Sequence, residues 1–351
     1  MQPDMTGKPE PQEEQNELYE HFRFTVDRGQ APLRIDKYLM AKIGSASRNR
    51  IQNAARAGNI IVNDSVIKSN YKVKPLDLIS IVLAYPPRDT GIYPENIPID
   101  IVHEDEEILV VNKAAGMVVH PGHGNFTGTL QNAVLYHLQN NSGKPDPEAK
   151  PFLVHRIDKD TSGILLIAKN ELAQSRLAKQ FFDHTIERTY FALVWGNLKD
   201  DEGTITGNIG RDPRNRLVMG IYDDEEKGRH AVTHYRVVER FGYVTLVACN
   251  LETGRTHQIR IHFKHIGHPL FNDESYGGNK ILKGTTFSKY KQFVENCFRL
   301  MPRQSLHAKS LGFIHPSTGK RVFFDSELPG DFSAVVQKWR SYHSDQSKEI
   351  L

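Results

Sequence analysis

The sequence predicts an α+β architecture in two parts: a small basic module, then a larger domain around a central mixed or antiparallel sheet. Three observations lead there. Between residues 98 and 335, β-type segments outnumber helical patterns, which fall singly among them. Residues 21–85 instead show two short helical patterns and then two short β segments. Between these regions Pro86, Pro87, Pro94 and Pro98 interrupt regular structure. The expected organisation is a disordered segment 1–20, a module 21–85, a linker 86–97, a main domain 98–335 and a polar tail 336–351.

The first twenty residues are rich in Gln, Glu and Pro, too polar to bury a core. In the module, Ile35, Tyr38, Leu39 and Ile43 recur at helical spacing. Ser47 suits the cap of a second helix with Ile51, Ala54 and Ala55 inward, and Gly58 suits its end. Strands follow at Asn59–Val62 and Leu76–Leu83, separated by the Asn63-Asp64-Ser65 turn. Arg48, Gln52 and Arg56 form one polar stripe. Between Arg28 and Lys74 ten Lys/Arg face two acids, a local excess of +8 in a chain of net charge +3. That excess points to a polyanion, nucleic acid first, bound through its phosphates.

In the main domain, Glu107–Lys113, Met117–His120 and Thr189–Trp195 read as strands, and Ala231–Arg240 with Tyr243–Leu251 as a hairpin. Glu171–Asp183 reads as a helix capped by Asn170, with Ala173, Leu177, Ala178, Phe181 and Phe182 inward. Thr256–Ile266 is a second helix with Ile259, Phe263 and Ile266 inward, ended by Gly267 and Pro269. Thr256, Arg260 and Lys264 lie on its opposite stripe.

Composition narrows the function classes. Of 351 residues, 25% are charged and 38% apolar, the mix of a globular protein with room for two domains. No apolar run approaches the ~20 residues that span a bilayer. The N-terminus lacks the basic start and apolar core of a signal peptide, so a cytoplasmic protein without membrane partners is expected. Cys249 and Cys297 are far apart and outside any Cys-x-x-Cys pair, which argues against disulfides or structural zinc.

Reactive side chains concentrate in three places: the loop His155–Gly163, which leads into the apolar run Ile164–Ala168, the strand around Tyr190, and Gly254–His262. A cation on a core-rooted helix, such as Arg260, can be aimed at Asp158 to orient it and keep it ionised, or can simply face solvent on an amphipathic helix; the residues alone favour the second. His257, His262, His265 and His268 scatter around their helix and have no carboxylate among them, so no metal site is expected. Ser162 is not in a Gly-x-Ser-x-Gly elbow. No Gly-rich phosphate loop is present, so no nucleotide cofactor is expected.

Two resemblances extend this reading. Arg34-Ile35-Asp36-Lys37-Tyr38-Leu39, Ser47-Arg48, Gly58–Asn63 and Asp77–Ile79 resemble an S4-type RNA-binding domain, which implies RNA contacts from Arg34, Lys37, Arg48 and Arg56. Over residues 22–335 the chain resembles the RluA/RluD family of pseudouridine synthases. The likeness rests on Glu104–Gly122, on His155-Arg156-Ile157-Asp158-Lys159-Asp160-Thr161-Ser162-Gly163 and on Leu251–His262, in that order. Val119-His120-Pro121-Gly122 with Gly124-Asn125 and Gly128-Thr129 is most similar to the RluD branch. Ile157 stands where the family usually has Leu, and Ala114 where Pro is common. Neither change removes a reactive group.

The resemblance implies a pseudouridine synthase fold and an isomerase. The bond from ribose to uracil breaks, the ring turns and is rejoined through carbon 5, with no cofactor, metal or water. Asp158 is then the essential carboxylate, attacking the anomeric carbon or removing the 2′ proton; the residues do not separate the two routes. One carboxylate suffices, because activated water would intercept the detached uracil. At a reference pKa of ~3.9 an Asp is already ionised at neutral pH. Asp160 is therefore read as structural. The resemblance further gives Arg260 as the orienting cation, Tyr190 as stacking aromatic and final base, Ile259 as lining the uracil pocket, and Arg156 as filling the gap left by a flipped nucleotide. His155, Thr161, Arg255 and His257 are expected to contact RNA. Large-subunit (23S) ribosomal RNA is the expected target, transfer RNA the runner-up, and a monomer the expected state. The competing reading is a non-catalytic RNA-binding assembly factor.

Overall fold

The computed structural model describes residues 19–43, 46–83, 91–122, 124–215, 217–224 and 226–349. The chain divides into two compact units, Met1–Gly91 and Ile92–Leu351. The expected disordered segment lies outside the described residues up to residue 18, and the expected linker up to residue 90.

The first unit runs β1 (Tyr19–Thr25), β2 (Leu33–Arg34), α1 (Ile35–Lys42), α2 (Arg48–Arg56), β3 (Ile60–Val62), β4 (Ser65–Val66), β5 (Lys72–Val73) and β6 (Leu78–Leu83). Four strands form the sheet β1-β6-β3-β4, and β2 pairs β5. Ile35, Leu39, Ile51, Ile60, Val62 and Ile79 make the core between helices and sheet. The Ser47 hydroxyl accepts from the Arg50 N–H at 3.4 Å and starts α2. Gly58 follows α2 at φ +77°, and Asn63 and Asp64 take the left-handed turn between β3 and β4. The sequence reading had no β1 and placed Tyr19 and Glu20 in the disordered segment. As an edge strand that buries almost none of its side chains, β1 leaves little periodic signal.

The second unit runs β7 (Asp100–Glu104), β8 (Ile108–Lys113), α3 (Leu130–Asn140), β9 (Phe152–Leu153), β10 (Ser162–Ala168), α4 (Glu171–Phe182), β11 (Glu187–Trp195), β12 (Glu202–Arg211), β13 (Met219–Tyr222), β14 (Arg229–Arg240), β15 (Val244–Leu251), α5 (Gln258–His265), α6 (Ser288–Leu300), β16 (Leu306–Ile314), β17 (Arg321–Asp325) and α7 (Gly330–Glu349). Eleven strands make one sheet, ordered β13-β12-β14-β15-β11-β16-β10-β8-β7, with β17 on β16 and β9 on β10. Every pairing is antiparallel except β10 with β16, so the sheet is mixed. One face packs under α3 and α5 through Val134, Leu138, Ile259 and Phe263. Elsewhere Trp195, Phe271, Val294 and Trp339 join α6 and α7 to the sheet.

Met117–His120 is a loop rather than the expected strand. The carbonyls of Val118 and Val119 accept from Leu130 and Gln131, so they serve the free N–H groups of α3 instead of a neighbouring strand. On α4 only Ala173 and Leu177 are buried; Ala178 is exposed and Phe182 is 83% exposed. The inward stripe is a single row at i, i+4, with Phe181 partly buried at its end. The sequence had also read residues 336–351 as a polar tail. Residues 336–349 continue α7, whose Phe332, Val335, Val336 and Trp339 recur at i, i+3, i+4, i+7 into the core, between polar residues that hide the pattern. Helices α3 and α6 are likewise not expected from the sequence. Helix α5 begins at Gln258, later than expected, because His257 sits at φ +55°. No helix among the described residues is long and apolar enough to cross a membrane.

Candidate active site

The loop that joins β9 to β10 carries Asp158, and three features set its position. Gly163 sits at φ +114° where β10 meets β16, and a Cβ there would overlap the Ala308 carbonyl. Only glycine allows the approach that opens the parallel pair. Lys113, at the end of β8, is fully buried and its ammonium donates to the carbonyls of Ala114, Met117 and Lys159 at 2.7–2.9 Å. It thus ties the loop after β8 to the residue after Asp158. Burial lowers its pKa to about 7, Arg303 adding to the fall and Asp160 and Asp158 opposing it. Arg303 donates to the Asp160 carbonyl at 3.0 Å and clasps Asp331, at the start of α7, with two bonds of 2.7 and 2.9 Å.

Asp158 is 19% exposed at its side chain. Its Oδ2 accepts from Arg260 Nη1 at 3.3 Å and lies 3.9 Å from His257 Nε2. Arg260 is not the solvent-facing residue that its stripe on α5 allowed; it is buried. Its Nε and Nη2 donate to Asp273, itself wholly buried, at 2.7 and 2.8 Å. The guanidinium also lies 5.0 Å from the Tyr276 ring centroid. Burial works against its charge, but Asp273 and then Asp158 outweigh it and hold the pKa above the ordinary arginine value. His257 is fixed through Nδ1, 2.9 Å from the Tyr276 hydroxyl, and burial keeps its pKa below the usual range against the pull of Asp158. The result is a carboxylate addressed on one oxygen by a rigid cation.

Two cavities, of about 620 and 1000 Å³, meet at Asp158, Arg156, Ile157 and His257. The smaller is lined by Tyr190, Ile259, Thr161 and Arg188. Tyr190 stands on β11 beside a bulge: Thr189 pairs with Ser310 but Tyr190 with Ala308, so Lys309 is extra in β16. Burial raises the Tyr190 pKa. Thr161 is buried, its hydroxyl has no hydrogen-bond partner among the described residues, and its N–H donates to the Asp158 carbonyl.

The structure therefore brings together Asp158, Arg260, His257, Tyr190, Ile259, Arg156 and Thr161. Arg255 also reaches the smaller cavity, though its Nε donates to the His230 carbonyl. His155 lines the smaller cavity as well. Its Nε2 accepts from the Leu166 N–H at 2.9 Å and its ring stacks on Phe181. Burial, helped by Arg188, lowers its pKa to about 3, so a neutral His155 braces β10 at the wall of the smaller cavity.

In the first unit, Arg34 and Arg48 are not simply solvated. Both donate to buried Asp36, which also accepts from Gln52 and the Lys37 N–H. Their outer halves stay open to solvent, and Lys37 and Arg56 are exposed. Asp36 holds a preset pair of arginines.

Sequence reasoning missed Asp273, Lys113, Arg303 and Arg188. Asp273 lies in the chain beyond the end of α5. No local spacing pairs it with Arg260, thirteen residues earlier. Lys113 carried a signal: a lone lysine that closes a continuous apolar strand, Ile108–Val111, is a candidate for burial.

An RNA pseudouridylate synthase family model matches residues 107–265, and an S4 domain model matches residues 33–79. The chain is 46% identical to an uncharacterized RNA pseudouridine synthase of Chlorobaculum parvum, over 90% of this chain and 97% of that protein. It is 42% identical to ribosomal large subunit pseudouridine synthase D of Zymomonas mobilis, over 87% and 93% of the two chains. Among solved structures, human RNA pseudouridylate synthase domain containing 1 superposes with a TM-score of 0.50 at 25% identity, over 69% of this chain and 95% of that one. With relatives this similar over nearly their whole length, the chain belongs to the RNA pseudouridylate synthase family and is an RNA-modifying isomerase.

Proposed function

We propose that this enzyme converts uridines of large-subunit ribosomal RNA to pseudouridine, with Asp158 as the reacting carboxylate. The observation that carries the reading is the Asp158–Arg260–Asp273 chain at the junction of two cavities. A buried guanidinium, charge-matched by Asp273, fixes one Asp158 oxygen and leaves the other for the substrate. The smaller cavity suits a flipped uracil between Tyr190 and Ile259, with Arg156 at the boundary to fill the vacated stack. Thr161, Arg255 and His257 line the walls that the RNA would touch. The ribosomal target rests on relatives in Zymomonas mobilis, Nitrosomonas europaea and Neisseria meningitidis that carry the name ribosomal large subunit pseudouridine synthase D.

In this reading the module 21–85 docks RNA and the domain from 98 onward modifies it, in a cytoplasmic monomer. Arg34, Lys37, Arg48 and Arg56 supply phosphate contacts whose strength falls steeply with salt. Rejoining uracil through carbon 5 releases the carbon 5 hydrogen, so tritium release from [5-³H]uridine RNA reads the reaction. The Asp158→Ala protein is expected to bind ribosomal RNA and release no tritium. Mapping pseudouridines in cells with and without the gene identifies the targets. Tritium release by Asp158→Ala would remove the proposed chemistry, and unchanged ribosomal RNA maps would move the target to transfer RNA.

A further inference from the structure

The buried arginines among the described residues are Arg188, Arg260 and Arg303. Arg260 is clasped by Asp273 and Arg303 by Asp331, each through two bonds. Arg188 is 8% exposed and has no carboxylate partner among the described residues. Its Nη2 donates to the carbonyls of Leu251 and Glu252 at 3.3 and 3.5 Å, and its Nε has no partner. The acid next to it in sequence, Glu187, is engaged by Arg321. A buried charge without a counter-ion is unfavourable unless an anion arrives.

Its surroundings say where that anion would come from. Arg188 lines the smaller cavity with Asp158 and Tyr190. It precedes Tyr190 by two residues on β11, so the two side chains share a face about 7 Å apart. One face of its guanidinium is 5.5 Å from the Phe181 ring centroid. A Cβ on Gly254 would stand 2.9 Å from Nη1, so the glycine of the third motif keeps the backbone clear of the guanidinium. His155 beside it is held neutral. The fold thus leaves a guanidinium unmatched at the cavity wall, where burial works against its charge.

We propose that Arg188 is the cavity's receptor for an anionic oxygen of the target uridine nucleotide. This rests on the reading that the cavity takes the uridine. Two oxygens have that chemistry: the nucleotide's phosphate, and the uracil carbonyl that gathers negative charge when the bond to ribose breaks.

Arg188→Met and Arg188→Lys, each checked by thermal melting, separate the sources. The probe is a large-subunit ribosomal RNA transcript, fluorescein-labelled for binding and tritiated at uracil carbon 5 for single-turnover rates. A phosphate contact predicts that Arg188→Met weakens RNA binding about tenfold and makes the salt dependence shallower by about 0.7–0.9, with the rate nearly kept. A contact to the uracil predicts unchanged binding and a rate lower by about 10²–10³. In both cases Arg188→Lys retains more function than Arg188→Met. A folded Arg188→Met protein with parental binding, salt slope and rate would overturn the proposal. So would losses in both variants that only track the amount of folded protein. Tritium release by Asp158→Ala would instead remove the reading of the cavity, whatever the Arg188 variants do.

Discussion

Asp273→Asn tests the reasoning about Arg260 most directly. The change keeps the side chain's size and removes the charge that matches a buried guanidinium. Losing one partner of a buried ion pair costs about 3–5 kcal/mol. Asparagine retains one acceptor for the two bonds that Asp273 receives, so about 3 kcal/mol is expected. At roughly 2–4 °C per kcal/mol for a unit of this size, the melting point falls by about 6–12 °C. Activity suffers separately. With Asp273 neutral, Asp158 becomes the only carboxylate bound to Arg260, and the 3.3 Å contact tightens at the expense of the reacting geometry. A displacement of about 1 Å at a reacting group is worth about 10² in rate. Differential scanning fluorimetry and single-turnover tritium release, with RNA binding as control, read the two effects. The double variant Asp273→Leu with Arg260→Met should regain stability and stay inactive, because it removes both charges together. Parental melting and parental rate in Asp273→Asn would refute the account of Arg260 as a cation held in place by a buried acid.

Three further outcomes are expected. Gly163→Ala should cost about 3–4 kcal/mol, from backbone overlap with Ala308 added to the left-handed conformation, and melting curves would show it; a neutral effect would mean that β10 and β16 do not meet as described. Acid should weaken the catalytic unit. Burial lowers His262 and His307 to about 4, so the unfolded chain takes up their protons first; their stabilisation is complete above about pH 6.5, is lost as the pH falls toward 4, and is down by about 2 kcal/mol each at pH 5. Melting between pH 7.5 and 5 checks this, and His262→Gln should flatten the dependence. Asp36→Asn should loosen Arg34 and Arg48 and weaken RNA binding several-fold while the rate at saturating RNA is kept; a filter-binding series that matched the parent would count against preset arginines.

Much of this molecule is legible in the chain because its signals are local. Helix α2 announces itself through Ser47, its apolar positions and Gly58, all within twelve residues. Strand β10 is a run of apolar residues and needs no partner to be recognised. The hairpin β14–β15 carries Phe241-Gly242 at its turn. What stayed hidden depends on distance. The acid for Arg260 lies beyond the end of α5, and Arg303 reaches Asp160 from 143 residues away. The inward row of α7 alternates with Gln337, Lys338 and Arg340, so composition disguised its periodicity. The structural part of His155 is equally hidden, because a histidine in a polar loop gives no hint that a strand N–H will donate to it. The apposition of Asp158 and Arg260 was expected from the family resemblance, since the spacing on α5 equally allowed an arginine facing solvent.

The parallel contact at the centre of the sheet has a consequence for biogenesis. Ser162 and His307, paired in β10 and β16, are 145 residues apart in the chain. Until β16 leaves the ribosome, β10 and β11 expose unpaired edges beside the emerging Asp158 loop, and the anchor of that loop, Arg303 with Asp331, does not yet exist. Closure across so long a loop is slow, and open strand edges attract other chains. The Asp158 site therefore cannot be completed until β16 and Asp331 have been synthesised. A nascent chain can display its basic module, and engage RNA, well before it can modify anything.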